Sequence, residues 1–421
     1  MFETVKHVAI VAPHFTPSNM TSMHRPRFLA TYLSEFGWDP TIVTVHEKYY
    51  EGRLEPELDR ILPEGLRVRK ASAWPVRPFR LVGDVGVRGF GGMFREIARL
   101  HCERPIDFLV VTIPSSFAAP LGYLANRRFG IPYGIDYQDP WVHEWPGCRV
   151  WFSKAWVSYQ LSRFLEPIAL SRASMVTGIS VAYYEDIFVR YPSVKEHVIT
   201  AAMPNGWSER EYAYLDAHPI PARLFLEAGV YRLVYAGAML PHSIPVTRAF
   251  FEAIAGLRKS GFLPGRFEVH FIGIGEADEA SPRSLADEFG VADLVFEHRE
   301  RMPYLEVLEH LRAASAVLIL GSTKPHYAPS KAYQAVLSGH PVLVLLHQSS
   351  SGVEFLRDAG TAAMATFDGE KPDITEIQKA FLRLAALDGV KPFAAALERV
   401  SARHSAQTLA DAMDRALGVL K

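Results

Sequence analysis

The chain has 421 residues, 49% hydrophobic and 22% charged, a globular composition that excludes a disordered chain, a collagen and a coiled coil. That length exceeds the ~250–300 residues at which one hydrophobic core stops growing, so two domains are expected. With 45 Lys and Arg against 46 Asp and Glu, the formal net charge of −1 argues against attraction of the whole molecule to nucleic acid. Two cysteines, Cys102 and Cys148, form no CxxC pair, so neither a zinc cage nor a disulfide framework is expected and a reducing compartment fits best. The N-terminal segment lacks a basic region, a long apolar stretch and a cleavage site, which argues against a signal peptide. No apolar run is long enough to span a bilayer.

HVAIVA, residues 7–12, is continuously apolar and predicts a strand buried on both faces. A polar loop covers 13–21. Residues 25–36 set Phe28, Leu29, Tyr32, Leu33 and Phe36 at helical spacing, and Gly37 ends the helix. TIVTV, 41–45, predicts the next strand. Segment 67–104 holds nine Lys and Arg against three acids, with Trp74, Phe79, Phe90 and Phe94 interleaved. Its glycine-rich part, 77–92, has no period and predicts a mobile loop leading into a helix. The segment suits either an anionic membrane surface or a soluble amphipathic helix that buries Met93, Phe94, Ile97 and Leu100. The rhythm then returns with strands at 108–113, 133–136 and 175–179 and helices at 116–129 and 181–189.

Near residue 205 the pattern breaks into a polar, proline-containing stretch. A second series follows, with strands at 232–237, 268–273, 294–297, 316–321 and 341–346 and helices at 247–258, 282–288, 304–313 and 330–338. The alternation predicts an α/β chain of two doubly wound, Rossmann-like domains, 1–205 and 206–401. A helix over 402–420 is expected to pack back on the first.

The segment AVLILGSTKPHYAPSKAYQAVLSG, 316–339, is the strongest motif. A buried strand ends at Gly321, a loop follows, Ser330 can cap a helix and Gly339 can end it. Such a loop lies at the carboxyl edge of a parallel sheet, where open α/β folds bind ligands. Lys331 adds a positive charge to the first turn, a place cations ordinarily avoid, which points to an anionic ligand. The bland alternative is a solvated lysine. Ser349, Ser350, Ser351 and Gly352 repeat the design after the next strand, as a second ligand loop or a polar turn. Gly237 and Gly273 end strands, either for close ligand approach or as turns. Arg299, in a charged turn after another strand, either faces a nucleobase or is solvated. In the first half, Asp139 follows a strand and either acts on an acceptor hydroxyl or caps a helix. Asn19, Thr21 and Arg25 lie in or just after the first strand's loop, and His14, His24 and His143 are further polar candidates. Walker, GxGxxG, HExxH, GxSxG and DxD patterns are all missing, so no catalytic metal is implied.

Taken together, VAPHFTPSNMTSMHRPRFLATYLSEFGWDPTIVT, GIDYQDPW, MPNGW, RLVYAGAM, EVHFIGIGE and PSKAYQAVLSGHPVLVL resemble the GT-B glycosyltransferases of the family-4-like, nucleotide-sugar-dependent group. The resemblance spans almost the whole chain. It implies two domains facing across a cleft and a donor diphosphate held by the second domain, with Lys331 on a phosphate. The other donor-binding positions it implies are Gly237, His242, Gly273, Arg299, His326, Ser330 and Gln334. On the acceptor side stand Asn19, Thr21, Arg25 and His143, and Asp139 joins Lys331 as a catalytic residue. The implied reaction moves a hexosyl group from a nucleotide diphosphate sugar to a hydroxyl of a glycan, a lipid-linked or a small-molecule acceptor, with retention and without metal or cofactor. A cytoplasmic enzyme is expected, with peripheral contact to the inner face of an anionic membrane through 67–104. Two departures stand out. The family's E-x7-E pair reads His326 and Gln334 here, and the Arg and Lys that usually follow the first donor-domain strand are replaced by the stretch from Gly237 to His242. Gln334 retains an amide able to bond a ribose hydroxyl. The lost charges leave open a protein of the same fold that binds sugar nucleotides with weak or no turnover.

Overall fold

The computed structural model describes residues 5–77, 82–113, 115–144, 146–204, 206–275, 281–325, 327, 329 and 331–418. Backbone contacts divide the chain into two compact units, Met1–Ser208 with Val400–Lys421, and Glu209–Arg399.

The first unit is built on a seven-stranded parallel sheet: β1 (Lys6–Val11), β2 (Trp38–Val45), β3 (Arg67–Ala71), β4 (Phe108–Ile113), β5 (Tyr133–Tyr137), β6 (Met175–Gly178) and β7 (Ile199–Ala202), in the order β3-β2-β1-β4-β5-β6-β7. β1 and β4 are buried almost throughout, as their unbroken apolar runs require. One face of the sheet packs under the helices Val85–Glu103 and Pro120–Phe129, burying Met93, Ile97, Leu100 and Leu121. The other face is covered by His24–Tyr32 and by Ala402–Ala416, whose Ala406, Leu409 and Met413 meet Val8, Ile10 and Trp38. Residues 85–92 are helical rather than looped. Asp84 caps that helix by accepting from the Val87 amide at 2.8 Å, and its glycines let it lie close to the strands.

The second unit has a six-stranded parallel sheet: β8 (Tyr231–Ala236), β9 (Phe267–Ile272), β10 (Val295–His298), β11 (Ala316–Leu320), β12 (Val342–His347) and β13 (Ala362–Phe367), ordered β10-β9-β8-β11-β12-β13. The amphipathic helices Ile244–Lys259 and Ile374–Arg383 close one face, burying Phe250, Phe251, Ile254 and Phe381. In each sheet the strand order reverses direction once, between β1 and β4 and between β8 and β11. The loops leaving those strands diverge there, which opens a crevice at the carboxyl edge.

Candidate functional site

In the second unit the reversal is flanked by the loops after β8 and β11. Gly237 leaves β8 at φ +151°, a backbone state that side chains rarely adopt. The Tyr235 hydroxyl donates to the Ala238 carbonyl at 3.0 Å and fixes the turn. His242 is exposed, and its carbonyl accepts from the Thr323 amide at 3.0 Å, so the two loops are tied across the crevice. The loop after β12 holds the other side. The Ser350 hydroxyl donates to the Tyr327 carbonyl at 2.6 Å, and Gly352 leaves room for Pro329. Ser350 and Gly352, read from sequence as part of a possible second ligand loop, thus brace the first one. Ser330 and His326 lie outside the described residues. Helix Ala332–Leu337 follows, with Lys331 as its N-cap residue and no side-chain cap.

Lys331 is half-buried, and its Nζ stands 4.8 Å from the centroid of the Tyr304 ring. A cation over an aromatic face gains about 0.5–2 kcal/mol, which helps hold it in place. The Tyr304 hydroxyl donates to Glu211 Oε2 at 3.1 Å and accepts from Gln334 Nε2 at 3.4 Å. Glu211 is fully buried and Gln334 is 5% exposed. The amide of Gln334 therefore faces inward and steadies Tyr304 beneath the lysine; it is a positioning residue, and the expected ribose contact does not fit its burial. Its Oε1 is buried without a hydrogen-bond partner among the described residues. Sequence reasoning missed Tyr304 and Glu211, because a hydroxyl more than 25 residues upstream of Lys331 carries no local signal.

Gly273 takes φ +71°, and its amide donates to the His298 carbonyl at 2.7 Å. Arg299 is exposed, and its guanidinium is turned onto Glu297 at 3.1 Å. The His298 pKa falls to about 4, from burial first and then from His270 and His310. His298 is thus a neutral acceptor or donor at ordinary pH.

In the first unit, Arg25 is 2% exposed and bidentate to the fully buried Asp136, at 2.6 and 2.9 Å. Its Nη1 donates to the carbonyls of Met203 and Pro204 at 2.6 and 3.1 Å, and Thr177 adds a hydrogen bond to Asp136 at 2.7 Å. Arg25 is therefore an internal clamp that fastens residues 203–204 to β5 and β6, and presents no donor to an acceptor substrate. Asn19 is buried beside Gly52, while Thr21 is exposed at the start of the turn Thr21–Met23. His24 shares a hydrogen bond with the buried Arg27 at 2.9 Å. His14 lies against Tyr50 at 4.8 Å between ring centroids, with its pKa lowered to about 4 by burial and then by Arg88. Asp139 is exposed at the end of β5. The protein mass around it still pushes its carboxyl pKa up, against the pull of His143, and solvent access limits the rise. His143 is exposed as well, with its Nδ1 2.8 Å from the Pro140 carbonyl oxygen.

Of the expected membrane segment 67–104, Trp74 is exposed, and Phe79 and Arg80 lie outside the described residues. The apolar side of Val85–Glu103 lies in the core, Arg88 is 5% exposed, and Arg67, Arg69, Lys70 and Arg104 pair with Asp39, Glu103, Glu47 and Asp39. Among the described residues no helix is long and apolar enough to cross a membrane.

The chain matches no family profile and no curated protein. Solved structures do resemble it along its length. Sucrose-phosphate synthase from Thermosynechococcus elongatus shares 14% identity at a TM-score of 0.56, with 99% of this chain and 94% of that one covered. HepE from Anabaena in complex with UDP shares 13% at 0.60, with 99% and 100% covered. The trehalose-6-phosphate synthase OtsA shares 12% at 0.61, with 97% and 99% covered. Likeness at these identities is a statement about architecture, and by it the chain has the GT-B fold of glycosyltransferases.

Proposed function

We propose that the chain is a glycosyltransferase that takes a hexosyl group from a nucleotide diphosphate sugar and passes it to an acceptor hydroxyl. The observation that carries this reading is the placement of Lys331. It is a half-buried cation next to the β8–β11 reversal, on a loop braced from both sides and seated on an aromatic ring. A diphosphate there meets one fixed positive charge, which stabilises the negative charge growing on the leaving group. The chain's own lysine takes that role in a reaction we assign as retaining and independent of metal and cofactor. Gly237 and His242, on the facing loop, and Gly273 and Arg299, on the next, are assigned to the rest of the donor. Asn19, Thr21 and His143 in the first unit are assigned to the acceptor, and Asp139 to its hydroxyl or to positive charge on the sugar.

The experiment is a turnover assay over a panel of nucleotide sugars and acceptors, with Lys331→Ala beside the wild type. The variant is expected to lose about 10²–10³-fold in kcat, as removal of one such electrostatic contact does. Unchanged turnover rejects the role. A second reading, a protein that binds sugar nucleotides without turning them over, is favoured by Gln334, an uncharged and buried residue where the family places an acid. Calorimetric binding of nucleoside diphosphates, with no product from any donor and acceptor pair, supports that reading.

A further inference from the structure

The helix Lys154–Leu170 in the first unit carries apolar residues on its outer face as well as its inner one. Its inner face buries Ser162, Glu166, Ala169 and Leu170. Val157, Leu161 and Phe164, at i, i+4 and i+7, fall on the opposite face and are 42%, 46% and 66% exposed. The turn before it extends the stripe, with Val150, Trp151 and Phe152 61%, 74% and 79% exposed. Phe152 holds φ +58°, the only non-glycine residue with positive φ among the described residues. A bulky aromatic in that region is strained, and here the strained backbone carries a ring exposed to water. A continuous apolar face of this kind marks a surface meant to be covered.

We propose that this face docks on an anionic lipid bilayer. Charge selects the occupant. Over residues 149–172 the exposed charges are Arg149, Lys154, Arg163 and Arg172, all positive. The one acid, Glu166, is fully buried and held by Arg190 at 2.9 Å. Arg149 pairs with Glu144 at 2.9 Å, which leaves three positive groups on the helix and its ends: Lys154 beside the stripe, Arg163 over the Tyr159 ring on the helix flank, and Arg172 past the last turn. Like charges around an apolar seam oppose pairing with a second copy and favour a negative surface. Composition agrees, since Trp151 stacks on Trp156 and amphipathic rings settle at the lipid interface. The helix thus lies in the interface plane, aromatic turn inward. The inference rests on this surface alone and is independent of sugar transfer.

The test uses the full chain with vesicles of phosphatidylcholine, alone or mixed with phosphatidylglycerol, and measures co-sedimentation and tryptophan emission. Binding is expected to the mixed vesicles only, to weaken as salt rises, and to drop on the order of tenfold or more in Lys154→Glu/Arg163→Glu. A second variant, Trp151→Ser/Phe152→Gly, separates docking from folding. Glycine relieves the strained backbone, so this variant is expected to melt at or above the wild-type temperature while binding vesicles at least about tenfold less tightly. Absence of binding to mixed vesicles at low salt overturns the proposal, as does binding unchanged in both variants. A lipid-free dimer that the aromatic variant dissolves overturns it too, by making the face a contact between copies.

Discussion

Arg25 and Asp136 are a buried ion pair with every group answered, and such pairs show their weight when one member is removed. With Arg25→Met, Asp136 keeps Thr177 but loses both guanidinium bonds inside the protein. The first unit is expected to lose about 3–5 kcal/mol in urea unfolding, and Asp136→Asn added to it should recover part of that. Gln334 gives the opposite kind of prediction. The Tyr304 hydroxyl has one proton, already donated to Glu211, and needs a donor from Gln334. Gln334→Glu, which restores the family's acid, offers a second acceptor in its place. It is expected to destabilise the second unit by about 1–3 kcal/mol at neutral pH, less so in acid where a carboxyl can donate again. Denaturation at two pH values checks both parts. The helix start at Lys331 was legible in sequence, because a buried strand and a polar loop lead into it. The lysine's tyrosine seat was not, because the contact joins separate helices. Arg25 was misread, because burial and an unseen aspartate partner decide what a guanidinium does.

Among the elements, the helix Val85–Glu103 owes its seat to missing side chains. A Cβ on Gly92 would lie 2.0 Å from the Ser72 carbonyl oxygen, a clash with backbone, whereas a Cβ on Gly91 meets nothing within 4 Å. Gly92→Ala is therefore expected to cost about 1–3 kcal/mol through overpacking. Gly91→Ala should instead stabilise by roughly 0.5–1 kcal/mol. Thermal melts of the pair measure the contrast. These glycines are also why the start of the helix reads as a loop: propensity argues against it, and only tertiary contact reveals it. Continuous apolar runs made β1, β4, β11 and β12 legible, since strands buried on both faces have no polar alternation to hide them. β3, sequence RVRKA, sits at the sheet edge with its charges in surface ion pairs and carries no such signal. The helix Lys154–Leu170 was passed over because its apolar stripe faces out and its buried face carries Ser162 and Glu166.

For the molecule as a whole, acid is the expected weakness. His14 and His298 are both held at about 4, chiefly by burial, and His7, His270 and His310 are pushed below their ordinary value by the same cause. Each binds its proton more readily when unfolded. Stability is therefore full above pH 6.5, the ordinary histidine value, and declines as pH falls from there toward 4. Urea midpoints across that window should show the slope, and His14→Gln with His298→Asn should flatten it. The helix Ala402–Ala416 carries a different consequence. It supplies Ala406, Leu409 and Met413 to the core beside β1, although residues 209–399 separate it from the rest of that unit. On a ribosome the middle of the nascent chain emerges complete while the earliest strands still wait for their last partner. The part made first finishes second, and its greasy underside stays open to chaperones until the final helix arrives.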